Sequence, residues 1–291
     1  MTYKEILQIA SNEIGELKGQ TLDVLDIKKP HTVNYAKHLV KVVSKISPLI
    51  GNMIEFLIIE KLNYIDWHGA GSWIRQDPGF PDALFQGSVE PKPGIEIKTW
   101  FPLATEITAR FKDSILHFQK DQTNVAVIAW LPEFLIYGKP KVFDVWIGSA
   151  LSLAIARDKH YHRPPDYLVL EPEDTSARTI NLQQTNTNGY KFQGSLEQLK
   201  KAEKEVSQWG KNGTEFSPTP EYQQKVKSLL GRYSYRLDTN FAKIDRIEHA
   251  GLEEFKTRVL NSRIDEKTIG EWARIITSDD SIIKRIVVDL I

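Results

Sequence analysis

The stretch Phe80–Trp100, FPDALFQGSVEPKPGIEIKTW, decides the fold. Its last third, GIEIKTW, follows a Pro- and Gly-rich approach and alternates apolar with polar residues, which predicts a short strand. A strand turns successive side chains to opposite faces, so Ile95 and Ile97 enter the core while Glu96 and Lys98 share the other face. Asp82 arrives from the Pro-flanked turn ahead of it and can meet Glu96 there. Two carboxylates held together away from water repel each other unless a cation lies between them. A hard cation with oxygen ligands, Mg²⁺, suits Asp82, Glu96 and the backbone carbonyl of Ile97. Lys98 beside it would contact a scissile phosphate and orient, or help deprotonate, the attacking water. Such an assembly suits metal-assisted phosphodiester hydrolysis. Pro-Asp, a gap and Glu-x-Lys is nevertheless a loose pattern, and a strand-end salt bridge uses the same residues. The surroundings must decide.

Upstream, YKEILQIASNEIGEL has helical spacing, and SPLIGNMIEFLIIEKL predicts a buried helix beginning after Ser47-Pro48. HGAGSWIRQDPGFPD, between that helix and the strand, reads as loop. Downstream, VAVIAWLP, KVFDVWIG and DYLVLEP read as strands and IGSALSLAIARDKHY as a helix. Thr175–Gly194 reads as loops around one short strand. A charged helix, SLEQLKKAEKEVSQWGKNG, ends near Gly210 or Gly213, and its KKAEKEV run reads as a solvated face. TEFSPTPEY is the most linker-like stretch, and three helical segments follow it. The expected architecture is mixed α+β: a small central mixed sheet flanked by helices in residues 1–213, then a helix-rich part over 214–291.

Composition excludes several classes. The 291-residue chain has no cysteine, so disulfides, thiolate catalysis and Cys-based zinc sites are absent. Lys+Arg and Asp+Glu balance at 38 each, so a local patch rather than a global field must attract any polyanion. The N-terminus lacks a signal-peptide core, and IEFLII is bounded by Glu60 and Lys61, which predicts no membrane span. A cytoplasmic protein is expected.

Pro81-Asp82 followed by Glu96-Ile97-Lys98 resembles the signature of the PD-(D/E)xK nuclease superfamily. Three further pieces resemble its MutH-like group, which includes type II restriction endonucleases. ELKGQTLDVL (Glu16–Leu25) is similar to that group's opening helix and turn, and LIGNMIEFLI (Leu49–Ile58) to its next helix. GIEIKTWFPL (Gly94–Leu103) is similar to its catalytic strand. The pieces keep the family's order through roughly residue 105, with VAVIAWLP and DYLVLEP fitting later strands less closely. The resemblance implies a restriction-endonuclease-like core cutting double-stranded DNA to 5′-phosphate and 3′-hydroxyl ends. It implies two Mg²⁺ sites, which Mn²⁺ could fill, held by Asp82, Glu96, the Ile97 carbonyl and, indirectly, Glu55 from its helix. Glu55 lies among Met53, Ile54, Phe56 and Leu57, a setting in which a carboxylate needs a partner. A second lysine of the group matches either Lys112 or Lys120. A homodimer on a palindromic site, and a cognate DNA methyltransferase as functional counterpart, follow from the restriction-enzyme reading.

The chain departs from the group in a longer Asp82–Glu96 loop and in Glu171 before Pro172, where the group carries a base-reading arginine. Glutamate can accept from the cytosine amino group, which implies a different target sequence. Candidate DNA contacts are Glu171, Arg163, Arg178, Gln183, Gln184, Asn186 and Asn188; a Gln/Asn-rich surface loop would use the same residues. His160 and His162 read as phosphate contacts or surface residues rather than metal ligands. Two alternatives accompany the restriction reading: a strand-nicking repair endonuclease, and a DNA-binding protein with a decayed nuclease core.

Overall fold

A computed structural model describes residues 1–76, 79–104, 106–171 and 187–277. Its centre is a five-stranded mixed sheet in the order β1 (Gly71–Arg75), β2 (Ala83–Gly87), β3 (Gly94–Trp100), β4 (Thr123–Pro132), β5 (Pro140–Ser149). β3 and β4 are parallel, with Glu96 opposite Val125, and the other neighbours are antiparallel. β4 is buried along almost its whole length, which explains its unbroken apolar sequence. The β2–β3 ladder holds only Ala83 against Ile95 and Leu84 against Gly94. Beyond those pairs β3 has a free edge, and that edge becomes the site.

Two helices fall on segments that the sequence predicts as helical. α1 (Tyr3–Gly15) buries Ile6, Ala10 and Ile14, and starts at a capping box between Thr2 and Glu5. α3 (Ala150–Tyr161) is capped by Ser149. α2 departs from expectation. It runs from Val33 to Asn63, 31 residues, through Pro48 rather than starting after it. Pro48 removes the bond that Ser44 would accept, at a cost of about 3 kcal/mol. Burial of Val43, Ile50, Ile54 and Ile58 in the core outweighs that loss. The segment expected as loop also differs, because GSWIR forms β1, with Trp73 packed edge-on against Trp67 and Phe85.

A second, three-stranded antiparallel sheet comprises β6 (Tyr167–Leu170), β7 (Asn188–Phe192) and β8 (Tyr235–Leu237). With α4 (Leu196–Val206) and α5 (Pro220–Arg232) it encloses a smaller core of Leu168, Ala202, Val206, Tyr222, Val226 and Leu229. Two further helices, α6 (Ala250–Asn261) and α7 (Ile269–Thr277), return to the main core through Leu252, Phe255 and Trp272. Residues on both sides of position 213, Val206 and Tyr222 among them, share the smaller core.

Among the described residues one stretch, Lys41–Asn63 of α2, is long and apolar enough to cross a membrane by length and composition. This corrects the expectation of no such stretch: α2 runs through Pro48, so its apolar part begins well before IEFLII.

Candidate active site

The β1–β2 connection presents Asp82 to the free edge of β3. Gln76 closes the loop: its backbone N–H bonds the Asp82 carbonyl at 2.9 Å, and its amide donates to the Phe80 and Pro81 carbonyls at 3.2 and 3.1 Å. Gly94 lets this loop approach, since a Cβ there would lie 2.3 Å from Pro81 Cγ. Asp82 Oδ2 then accepts the Ile97 N–H at 2.7 Å, in the place of a β2 residue. The Asp82 N–H donates to Glu96 Oε2 at 3.2 Å. Within a strand a residue's N–H and C=O leave by the same edge, so the Ile97 carbonyl lies on the Asp82 side.

Glu96 and Lys98 share a face, as the alternation requires. Lys98 Nζ forms a short ion pair with Glu96 Oε1 and lies 3.4 Å from Asp82 Oδ2, so both carboxylates reach one ammonium. Glu96 is only 3% exposed. Burial, followed by the charge of Asp82, pushes its carboxyl well above the usual range against the opposing charge of Lys98; Asp113 pushes it up further. For Lys98, burial alone would depress the amine, but Glu96 and Asp82 outweigh it and hold the amine above its ordinary value.

Glu55 joins from α2. Its Oε1 accepts from Arg75 Nε at 2.6 Å, and burial with the nearby Asp82 charge raises its carboxyl. Gly51, one turn earlier, allows the helix to press on β3: a Cβ there would stand 2.6 Å from Thr99 Oγ1. Glu55, Asp82, Ile97 and Lys98 line one cleft of about 730 Å³, with Ser44, Asn52, Arg75 and Thr99 among its other walls.

Sequence reasoning missed two groups here. Arg75 holds Glu55, and Asp113 bears electrostatically on Glu96. Neither had a readable signal, because one lies in a stretch taken as loop and the other in the irregular β3–β4 connection. Among the described residues no group of three or more His, Asp or Glu side chains stands ready to hold a metal. The cation between Asp82 and Glu96 is Lys98.

Of the residues expected to touch DNA, Glu171, Arg163 and Asn188 are described. Glu171, expected at a base edge, is instead 2% exposed and 3.7 Å from Arg157 Nη2, because the buried guanidinium draws it inward. Arg163 is exposed beside β6, and Asn188 is half-buried on β7 opposite Leu170. Arg178, Gln183, Gln184 and Asn186 lie outside the described residues. His160 pairs with Glu248 at 3.1 Å, and His162 Nδ1 meets the Tyr222 hydroxyl at 2.9 Å. Lys112 is half-buried and Lys120 exposed.

Comparison of the chain with protein-family models, with curated proteins and with solved structures finds no match.

Proposed function

We propose that this chain is a sequence-specific, Mg²⁺-dependent double-strand DNA endonuclease of the restriction type, built on a restriction-endonuclease-like core. One observation carries the reading: Asp82 and Lys98 line an open cleft with Glu55 at the free edge of a buried strand, and the buried Glu96 is bonded to both Asp82 and Lys98.

The donor set fits a hard cation. Two carboxylates close enough to grip one ammonium would grip a divalent ion by rotation of their side chains, and the Ile97 carbonyl lies on the same edge. Asp82, Glu96 and that carbonyl would hold Mg²⁺ or Mn²⁺, with Glu55 reaching a second position through water. When bound, the ion places positive charge on the phosphate and makes its own water a better nucleophile. Lys98, freed from Glu96, would donate to a non-bridging phosphate oxygen or to the attacking water, placing charge where it develops in the transition state. Arg75 would keep Glu55 turned toward Asp82. Water attacks phosphorus in line, and the bond to the 3′ oxygen breaks, leaving 5′-phosphate and 3′-hydroxyl ends. A cytoplasmic location and a partner methyltransferase that shields host DNA belong to the same reading.

The test is plasmid cleavage with Mg²⁺, followed by sequencing of the fragment ends. Discrete fragments sharing one short sequence are expected. Glu96→Ala and Lys98→Ala should each lose on the order of 10²-fold or more in rate, while gel-shift binding in Ca²⁺ persists. Undiminished cleavage by Asp82→Ala or Glu96→Ala would remove the site. A plasmid that stops as open circle would assign strand nicking instead.

A further inference from the structure

α2 is more apolar than its burial can use. Only 28% of its most apolar 18-residue window is buried within the chain. The excess is ordered. Tyr35, Val42, Leu49 and Phe56 are 52, 46, 52 and 53% exposed, and Tyr64, the helix C-cap, is 87% exposed. Their spacing of seven, seven, seven and eight keeps them along one side of the helix. They flank neither the core face of Val43, Ile50 and Ile54 nor the cleft wall of Ser44, Gly51 and Glu55. A row of large apolar side chains left in water marks an interaction surface.

We propose that this stripe is the contact surface for a second copy of the chain, with the two α2 helices antiparallel across a two-fold axis at Leu49. In that arrangement apolar side chains meet along the whole stripe, and the charges beside it set the direction. Leu49 meets its own copy, Val42 faces the partner's Phe56, and Tyr35 faces the partner's Tyr64. His38 then lies opposite the partner's Glu60, with Lys41 one turn away, all on exposed positions. A parallel pair would instead set Lys41 and Lys45 against their own copies and Glu60 against Glu60, stacking like charges. A two-fold contact uses one patch twice, which a symmetric stripe satisfies. If the nuclease reading holds, the pair would place two clefts about one axis, as cutting both strands requires. The contact itself does not depend on that reading.

Sedimentation of the full chain should give twice the chain mass, and Leu49→Glu should give a single-chain mass with an unchanged circular dichroism spectrum. The absence of native cysteine permits a second measurement. A short bis-maleimide should couple Leu49→Cys into a covalent dimer but leave Tyr35→Cys uncoupled, because antiparallel pairing sets the two Tyr35 positions about 40 Å apart at 1.5 Å per residue. A chain that sediments singly at every concentration overturns the proposal, as does equal coupling of Tyr35→Cys. Flotation of a single-chain species with phosphatidylcholine–phosphatidylglycerol vesicles would assign the stripe to a bilayer and also overturns it. Each readout is independent of DNA cleavage, so pairing stands or falls separately from a silent nuclease assay.

Discussion

At the scale of the residue, the site depends on close approaches that only particular side chains allow. Gly51 is the clearest case. Alanine there would gain about 1 kcal/mol of helix propensity, but its Cβ would press on Thr99 Oγ1 at 2.6 Å. Overpacking of that kind costs about 1–3 kcal/mol, so Gly51→Ala should lower the urea midpoint. Adding Thr99→Ala removes the hydroxyl, and the double variant should recover the loss and show the propensity gain. A Gly51→Ala chain as stable as the native one would mean that helix and strand are not in tight contact. Glu96 makes the converse point: a carboxyl group 3% exposed is held there by its ion pair with Lys98 and by the Asp82 N–H.

At the scale of the element, α3 does more than its modest amphipathic pattern suggests. Leu153 and Ala154 pack in the main core, while Arg157 and Asp158, one turn on, are buried with Arg157 near Glu171 at the end of β6. Arg157 is fully buried; it donates to Asp158 at 2.7 Å and to the Asp113 carbonyl at 2.6 Å, and faces Glu171. The Glu171 N–H in turn donates to Gln223 Oε1 of α5 at 2.6 Å. The guanidinium therefore links the irregular β3–β4 connection, α3 and the end of β6. Removing one partner of a buried ionic group leaves the others uncompensated, at a cost of about 3–5 kcal/mol. Arg157→Met should lose that much in denaturant unfolding. The triple change Arg157→Met, Asp158→Asn, Glu171→Gln should regain most of it. Equal loss in both variants would show that packing, not charge, makes the junction.

At the scale of the whole molecule, the same cluster couples stability to pH. Burial and the charge of Asp158, partly offset by Arg157, raise the Glu171 carboxyl to about 7 from its ordinary value of 4.5. The folded chain therefore holds a proton that the unfolded chain releases, and this group's contribution is lost as pH rises from 4.5 through 7. His162 acts in the opposite direction. Burial lowers its imidazole to about 4, so its contribution, full above 6.5, is lost as pH falls toward 4. The two partly cancel in wild type, so the informative quantity is a difference. Relative to wild type, Glu171→Gln should gain stability between pH 4.5 and 7, by an amount on the order of 3 kcal/mol. A difference that stays flat across that window would place the Glu171 carboxylate in contact with solvent.

The sequence by itself determined most of the elements and the face that Glu96 and Lys98 share. Period-two alternation placed Glu96 beside Lys98, the apolar run VAVIAWLP became the buried β4, and the stripe of α1 marked its buried side. These are local properties, set by backbone geometry and by which side chains leave water. Tertiary structure alone decided what came from afar. It ran α2 through Pro48, made β1 from a stretch rich in turn residues, brought Arg75 to Glu55, and drew Glu171 inward to Arg157 rather than outward to a base. In each case packing or charge pairing with a segment distant in sequence outweighed the local preference, and local preference is all that spacing and composition encode.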